Sequence, residues 1–216
     1  MTDKLSIYNG ALVILGERPL ATETENRPPR YMLDEIWDND MIDRCLQMGQ
    51  WNFAARSVQL DASSTVTPTF GYQFAFEKPA TDFKRTMMVC YDEYFVRPIT
   101  RYSDEGQYLY CDTEIIYVKY VSNDIQYGGD FSLWPPNFTE FVEYYLAFKV
   151  APRVAGMDMQ ERTMEAKFER ALLKAKSTDA MESPAKFAPT GGWTRSRQGF
   201  RSGHVDRGNR SQLIGQ

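Results

Sequence analysis

The chain of 216 residues is long enough for one sizeable hydrophobic core, or for one core with a smaller lobe beside it. With 43% apolar and 25% charged residues it has the composition of an ordinary globular protein, and no apolar run reaches the length of a membrane span or a secretory signal, which favours a cytosolic origin. Cys45, Cys90 and Cys111 are odd in number and widely spaced among apolar or aromatic neighbours, which indicates buried thiols rather than disulfides or a zinc site.

The net charge of −4 is distributed unevenly along the chain. Residues 190–216 contain five arginines, no lysine and one acid, a net +4, so the other residues together carry −8. Residues 183–216 are also rich in glycine and serine and have no apolar periodicity, which leaves too little packing surface to offset chain entropy. The sequence therefore predicts an acidic body and, over residues 183–216, an extended C-terminal arm that contacts a partner.

The first predicted element is an amphipathic helix over residues 3–15. Thr2 is the expected N-cap, and Leu5, Tyr8 and Leu12 recur at helical spacing. Gly16 ends the helix, and a turn and a polar loop follow.

Residues 28–53 predict one long helix that forms the axis of the fold. Pro28 and Pro29 suit a first helical turn, and Gly49 offers a stop about six turns later. The rings of Trp51 and Phe53 are expected to fix the end of this helix to the core. Its apolar stripe is wide enough to touch more than one neighbour and consists of Leu33, Trp37, Met41, Cys45 and Met48.

From residue 57 to about residue 130 the apolar period changes from helical to alternating. Short segments rich in aromatic and β-branched residues predict five strands, at residues 72–76, 86–91, 94–102, 107–111 and 114–121. Turn signals at residues 103–106 and 111–113 join consecutive segments, so antiparallel pairing is expected.

Two further helices are predicted after this region. Asn137, with Glu140 three residues later, resembles a capping pair for the third helix, which ends near Pro152 and carries the stripe Phe138, Phe141, Val142, Tyr145 and Phe148. The fourth helix runs from Asp158 to about Thr178, with the seam Met164, Phe168, Ala171 and Ala175.

This order of elements predicts an α+β fold that is mainly an antiparallel four-helix bundle, with a small antiparallel β lobe inserted between helices 2 and 3 and an extended C-terminal arm. Residues 1–56 and 135–182 would form the bundle, and residues 57–134 the inserted lobe. Residues 183–216 are the arm.

No pattern in the sequence predicts catalysis, a cofactor or a metal site. The single histidine, His204, lies in the glycine-rich arm, where the geometry of a catalytic triad cannot be held. No glycine-rich loop joins a strand to a helix as phosphate-binding motifs require. Asp38, Asp40 and Asp43 do not share one helix face, which favours a solvated surface over a cation site. We therefore expect a protein that is not an enzyme.

The arm carries the strongest binding signal. Residues 193–201 interleave aromatic side chains with arginines, a composition that suits nucleic acid through phosphate contacts and stacking. It suits equally a protein groove lined with carboxylates. The candidate docking residues are Trp193, Arg195, Arg197, Phe200, Arg201, Arg207 and Arg210. A surface excess of tyrosine on the β lobe would mark a second contact face.

The chain resembles the tail tubular protein A family, the head-to-tail adaptors of short-tailed bacteriophages. The resemblance is carried by the run LGERPL at residues 15–20 and by Trp51-Asn52-Phe53 after the second helix, with Gly16, Pro19, Trp51 and Phe53 matching the family motif. It implies a dodecameric ring beneath the portal protein that continues the DNA channel and supports the tail nozzle protein. It also implies an arm that docks on the portal, and a virion location after synthesis in the host cytoplasm, with double-stranded DNA passing through the lumen without specific binding and without any role for a membrane.

Two alternatives stay open from the sequence. One is a phage accessory protein whose basic aromatic arm binds nucleic acid. The other is a connector of a long-tailed phage, which would share the ring and differ in its lower neighbour.

Overall fold

A computed structural model describes residues 3–154 and 158–183, with side chains described except at residues 154 and 158–161. The helices in these ranges are α1 (Lys4–Leu15), α2 (Pro28–Asp38), α3 (Met41–Gln47), α4 (Pro136–Val154) and α5 (Asp158–Glu182). The strands are β1 (Ala55–Asp61), β2 (Phe74–Glu77), β3 (Phe83–Cys90), β4 (Ser103–Glu105), β5 (Tyr108–Cys111) and β6 (Ile115–Ser122). A single 3-10 turn, Phe131–Leu133, precedes α4.

The first helix matches the prediction except at its cap. Asp3 is the N-cap, and its carboxylate accepts a hydrogen bond from the Ser6 backbone N–H at 2.8 Å, whereas the predicted cap, Thr2, lies outside the described residues. Gly16 ends α1 with φ 77°, a left-handed conformation that glycine adopts at little cost.

The predicted single helix over residues 28–53 is wrong, because the chain breaks into α2 and α3 at Asn39 and Asp40. Asp40 has φ 54°, in the left-handed region that ends a helix. Asn and Asp tolerate this region better than other non-glycine residues, so the run from Asp38 to Asp40 is a turn signal inside the helical pattern. After the break α3 packs against β3 and β6, while α2 packs against α4.

The central helix is therefore α4, which contacts α1, α2 and α5. Its predicted aromatic stripe is confirmed as a buried face that includes Phe138, Phe141, Val142 and Tyr145. The predicted cap at Asn137 is wrong, since the Pro135 carbonyl already accepts hydrogen bonds from the N–H groups of Phe138 and Thr139. The helix also continues past Pro152 to Val154 instead of ending at the proline.

The predicted seam of the last helix is confirmed. Met164, Ala171 and Ala175 are buried, and the ring of Phe168 stacks on Phe148 of α4 with centroids 5.7 Å apart. The helix reaches Glu182, one turn beyond the predicted end.

Antiparallel pairing is confirmed, in two three-stranded sheets with the orders β1-β6-β3 and β2-β5-β4. Strand β1 was missed by the sequence analysis, and the predicted strand over residues 94–102 is wrong. That segment is a loop in which Phe95 has φ 56° and only an isolated bridge joins Cys90 to Pro98.

Both predicted turns of the β region also need correction. Residues 103–105 form β4, and the turn to β5 is centred on Gly106, at φ 58°. The bend after Cys111 does not make a hairpin, because β5 and β6 belong to different sheets.

The prediction of a mainly four-helix bundle is wrong, since five helices and two sheets make a mixed α+β fold within the described residues. The reason is that one core spans both kinds of element. Ala54 and Val121 are buried in the same cluster as the helices, and α3 lies against the β1-β6-β3 sheet. A second core is built from both sheets and includes Phe76, Val89, Leu109, Ile116, Val118 and Tyr120.

Candidate functional site

The predicted site residues fall into two groups. All seven candidate docking residues of the arm, from Trp193 to Arg210, lie outside the described residues. The four residues of the family motif lie inside them, and the structure brings two of the four, Trp51 and Phe53, into direct contact.

Trp51 is the centre of an aromatic cluster that joins the end of α3 to α4. Its side chain is 1% exposed, and its indole N–H donates to the Cys45 carbonyl at 3.2 Å. The ring meets Phe138 edge-on at 4.8 Å between centroids, and Phe53 lies at the same centroid distance from Phe138. These contacts bury a large apolar area and hold the segment from residue 51 to residue 53 against the core.

Gly49 makes this cluster possible. A Cβ atom added at this position would lie 2.5 Å from Cε2 of Trp51, closer than two carbon atoms can approach. The predicted role of Gly49 as a helix stop therefore accounts for only part of its function, because the residue also admits the indole ring.

Asn52, between the two rings, binds the end of α5. Its backbone N–H donates to the Asp179 carboxylate at 2.9 Å, and its side-chain amide donates to the Asp179 carbonyl at 2.7 Å and to the Ser183 hydroxyl at 2.8 Å. We call Asn52, Asp179 and Ser183 the α5 latch. The latch fixes the end of α5 to the segment that follows α3.

Asp179 is a buried acid, 8% exposed. Burial raises its pKa, because a carboxylate loses hydration there, and the hydrogen bond from the Asn52 backbone opposes this rise. The sequence analysis missed Asp179, although a signal was present. The α5 seam runs through Ala171 and Ala175, and the next position four residues on is Asp179, an acid where the pattern requires an apolar residue.

Gly16 and Pro19 serve a different part of the molecule, the turn after α1. Gly16 provides the left-handed C-cap. The Pro19 side chain is exposed, and its carbonyl accepts a hydrogen bond from the Arg27 guanidinium at 3.3 Å. Leu20 is then buried while Asn9 binds both its N–H, at 2.7 Å, and its carbonyl, at 3.1 Å. This pair of motif residues directs the chain away from α1.

A second buried acid, Asp82, joins the three strands of the β1-β6-β3 sheet. One of its oxygens accepts hydrogen bonds from Arg56 at 2.8 Å, Tyr120 at 2.9 Å and Ser122 at 2.7 Å. Burial alone would raise its pKa, but the bonds from Ser122, Tyr120 and Arg56 outweigh burial and keep the pKa below its ordinary value. Each partner therefore favours the charged form of Asp82, and the carboxylate ties β1 to β6.

The third unusual acid is Glu143, on the side of α4 that faces α1. Its carboxyl group lies over Gly10, where any Cβ atom would collide with it. Burial, and repulsion from Glu140, raise the pKa of Glu143 from 4.5 to about 7. Glu140 itself is paired with Lys174 of α5 at 2.7 Å.

Glu143→Gln is expected to stabilise the protein above pH 7. Because the folded-state pKa is raised, the folded protein holds a proton that the unfolded chain loses near pH 4.5, so stability falls as the pH rises towards 7. The neutral glutamine avoids this loss, and after discounting for partial exposure we expect about 1 to 2 kcal/mol at pH 8 and only a small part of that gain at pH 5. Urea unfolding at both pH values measures the difference, with exposed Glu165→Gln as the control. Equal gains at both pH values would contradict the assignment.

Neither a membrane-spanning helix nor a metal-binding cluster is found in residues 3–154 and 158–183. No helix there has the length and apolarity to cross a membrane. No cluster of three or more His, Cys, Asp or Glu side chains there has the arrangement needed to hold a metal ion. Asp43, one of the acids considered for a cation, instead accepts hydrogen bonds from Lys84 and Asn123, both at 2.7 Å.

The α5 latch and the aromatic cluster beside it hold the end of α5 to the body through Asn52. No protein-family model matches the chain, and no curated protein matches it.

Proposed function

We propose that the protein is a structural head-to-tail adaptor of a bacteriophage. It forms a ring beneath the portal protein, extends the DNA channel and joins the capsid to the tail nozzle, while its C-terminal arm docks on the portal. The observation that carries the proposal is the attachment of a basic, aromatic arm to a helix end that is locked into the core by the α5 latch.

The latch suits a segment that bears load. A pull on the arm is applied to the end of α5, and Asn52 passes it to Trp51 and Phe53 on either side. Asn52 makes its bonds through both its backbone and its side chain, so the contact resists displacement better than a single hydrogen bond. A joint between capsid and tail needs this property.

The composition of the arm suits a protein groove on the portal. Arginine pairs bidentately with carboxylates, and Trp193 and Phe200 provide large side chains for apolar pockets. In a ring, each subunit contributes one arm, so a weak contact is multiplied into a durable one. Binding to the portal would then favour ring formation, because the bound state alone gains the contacts of the arm.

The charge of the body suits a DNA channel. Outside residues 190–216 the chain carries −8, and a negative wall repels the phosphate backbone, which lets DNA move without adhering. A dodecamer is the expected ring, with the portal and nozzle proteins as its neighbours.

Deletion of residues 190–216 is expected to abolish attachment of the adaptor to filled heads, because the deletion removes all five arginines of the arm together with Trp193 and Phe200. The matched control is deletion of residues 211–216, which contain no aromatic and no charged residue. Electron microscopy of particles from a complementation experiment measures the fraction with tails. The proposal fails if the longer deletion still yields tailed particles at the control frequency.

A phage nucleic-acid-binding accessory is the second candidate, supported by the same interleaving of arginines and aromatics. In that case the full chain should bind a short DNA strand at low salt, with log affinity falling by about 0.7 to 0.9 per log salt for each phosphate contact. Fluorescence anisotropy at about 25 mM salt tests it. The absence of binding there removes this candidate and leaves the adaptor.

A further inference from the structure

Three of the exposed large apolar side chains lie close together in one loop, whereas others, such as Phe70 and Ile125, stand alone in their segments. Residues 91–97, which we call the Tyr loop, follow β3 and present Tyr94 at 78% exposure and Val96 at 73%, with Tyr91 half exposed. Three large apolar side chains in six residues are more than scattered surface positions normally show, and tyrosine is enriched where proteins meet.

The Tyr loop is held in one shape. The Asp92 carboxylate accepts hydrogen bonds from the N–H groups of Val96, at 3.0 Å, and Arg97, at 2.7 Å. The Tyr91 N–H donates to the Arg97 carbonyl at 3.0 Å, closing the loop at its base. Phe95 adopts φ 56°, a conformation that costs a non-glycine residue free energy. A loop fixed before binding loses little entropy when it docks.

The surroundings of the Tyr loop contain more acidic than basic side chains, the basic ones being Arg97 in the loop and Arg101, which pairs with Asp112 at 3.7 Å. Tyr91 shares a shallow surface concavity with Ile115, and Asp112 and Glu114 line the same concavity. At the tip of the loop, Glu93 accepts a hydrogen bond from the Tyr94 hydroxyl, which raises the pKa of Tyr94. The loop therefore fits a surface that is apolar in the middle and basic around it.

This chain carries such a surface on α5. The helix packs along α4 through its seam, and on the outward side Leu173 is 66% exposed. Residues 166–177 contain four basic side chains and one acid. Lys174 is paired with Glu140 of α4, and Lys167, Arg170 and Lys176 make this part of an otherwise negative body basic. Ala166 and Ala180, seven residues to either side of Leu173, are also exposed. Their side chains are small, so a loop can approach Leu173 without a steric clash.

We propose that the Tyr loop of one copy packs on the outward face of α5 of the next copy, with Tyr94 and Val96 against Leu173. Two different surfaces meet in this contact, so it is heterologous and repeats around a ring instead of stopping at a dimer. This inference takes the ring from the proposed function and adds the two surfaces that join neighbouring subunits. Loop-to-loop pairing is disfavoured because Glu93 and Glu114 would face their own copies.

Cysteine cross-linking of the full chain tests the contact. The native thiols Cys45, Cys90 and Cys111 are all buried, so engineered surface cysteines react without background. Tyr94→Cys is mixed with Leu173→Cys under mild oxidation, and the matched control pairs Tyr94→Cys with Val13→Cys, an equally exposed apolar position on α1.

We expect about ten-fold more mixed dimer from the Tyr94 and Leu173 variants than from the control pair, with a lower yield at high salt. A double variant carrying both cysteines should give a ladder of oligomers. The inference is overturned if the mixed dimer does not exceed the control, or if Tyr94→Cys pairs mainly with itself. If rings form on the portal but this cross-link does not, the contact is refuted and the proposed function is not. The cross-link without portal attachment supports the contact and refutes the proposed function.

Discussion

Replacing Trp51 with alanine is expected to lower the free energy of unfolding by about 3 to 5 kcal/mol, the range for deleting a buried aromatic side chain. The indole is 1% exposed, contacts Phe53, Phe138 and Phe141, and donates a hydrogen bond to the Cys45 carbonyl. Its loss leaves a cavity and removes one of the two hydrogen bonds to the Cys45 carbonyl, which keeps the bond from the Met48 N–H. Urea unfolding followed by circular dichroism measures the change.

The matched control for Trp51→Ala is Tyr94→Ala, which removes an aromatic ring that is 78% exposed. That change should alter the free energy of unfolding by less than about 0.5 kcal/mol. If the two variants lose similar stability, the aromatic cluster is not the support that the structure indicates. Because Asn52 lies next to Trp51, the same variant should also weaken the α5 latch, which limited proteolysis near Ser183 would detect.

The sequence predicted helices well where one face is strongly buried. The aromatic stripe of α4 and the seam of α5 are both continuous, since each helix packs along its length against another helix. The prediction failed between α2 and α3 because apolar periodicity continues on both sides of residues 38–40 while Asp40 adopts a left-handed conformation that ends the helix. The periodicity of apolar residues predicts which side chains are buried, but it does not show where a helix breaks.

The strand errors have two causes. The missed strands β1 and β4 lie at sheet edges and contain no fully buried residue: β1 has only the short alternation Val58-Gln59-Leu60, and β4 consists of three polar residues, so the apolar signal is weak. The segment over residues 94–102 has the composition of a strand, but Asp92 captures two backbone N–H groups that a sheet would otherwise use. Competition of this kind between side chain and backbone converts a strand pattern into a loop.

The candidate site was accessible from the sequence only in part. Trp51 and Phe53 are large aromatic residues, so their contact with the core could be predicted from the sequence. The bond between Asn52 and Asp179 joins residues 127 positions apart, and a single sequence contains no record of such a pairing. What a single sequence does show is the acid at a seam position of α5, which requires a buried hydrogen-bonding partner from another element.

Asp82→Ala is the second large change we expect, a loss of about 2 to 4 kcal/mol in the free energy of unfolding at pH 7. The substitution removes the acceptor shared by Arg56, Tyr120 and Ser122. Tyr120 and Ser122 are buried, so both hydroxyl groups would be left without this partner at a cost of about 1 to 3 kcal/mol each, partly recovered by rearrangement. Arg56 is more exposed and regains water, so its share is small.

The dependence on pH separates this explanation from simple loss of packing. The pKa of Asp82 is lowered in the folded state, so its stabilising contribution is present above the unfolded pKa of about 3.9 and is lost as the pH falls through the lower folded value. The difference between wild type and Asp82→Ala should therefore shrink below pH 4. Exposed Asp38→Ala is the control and should change stability little at either pH. A difference for Asp82→Ala that stays constant from pH 7 to pH 3 would mean that the carboxylate charge contributes nothing to the cluster.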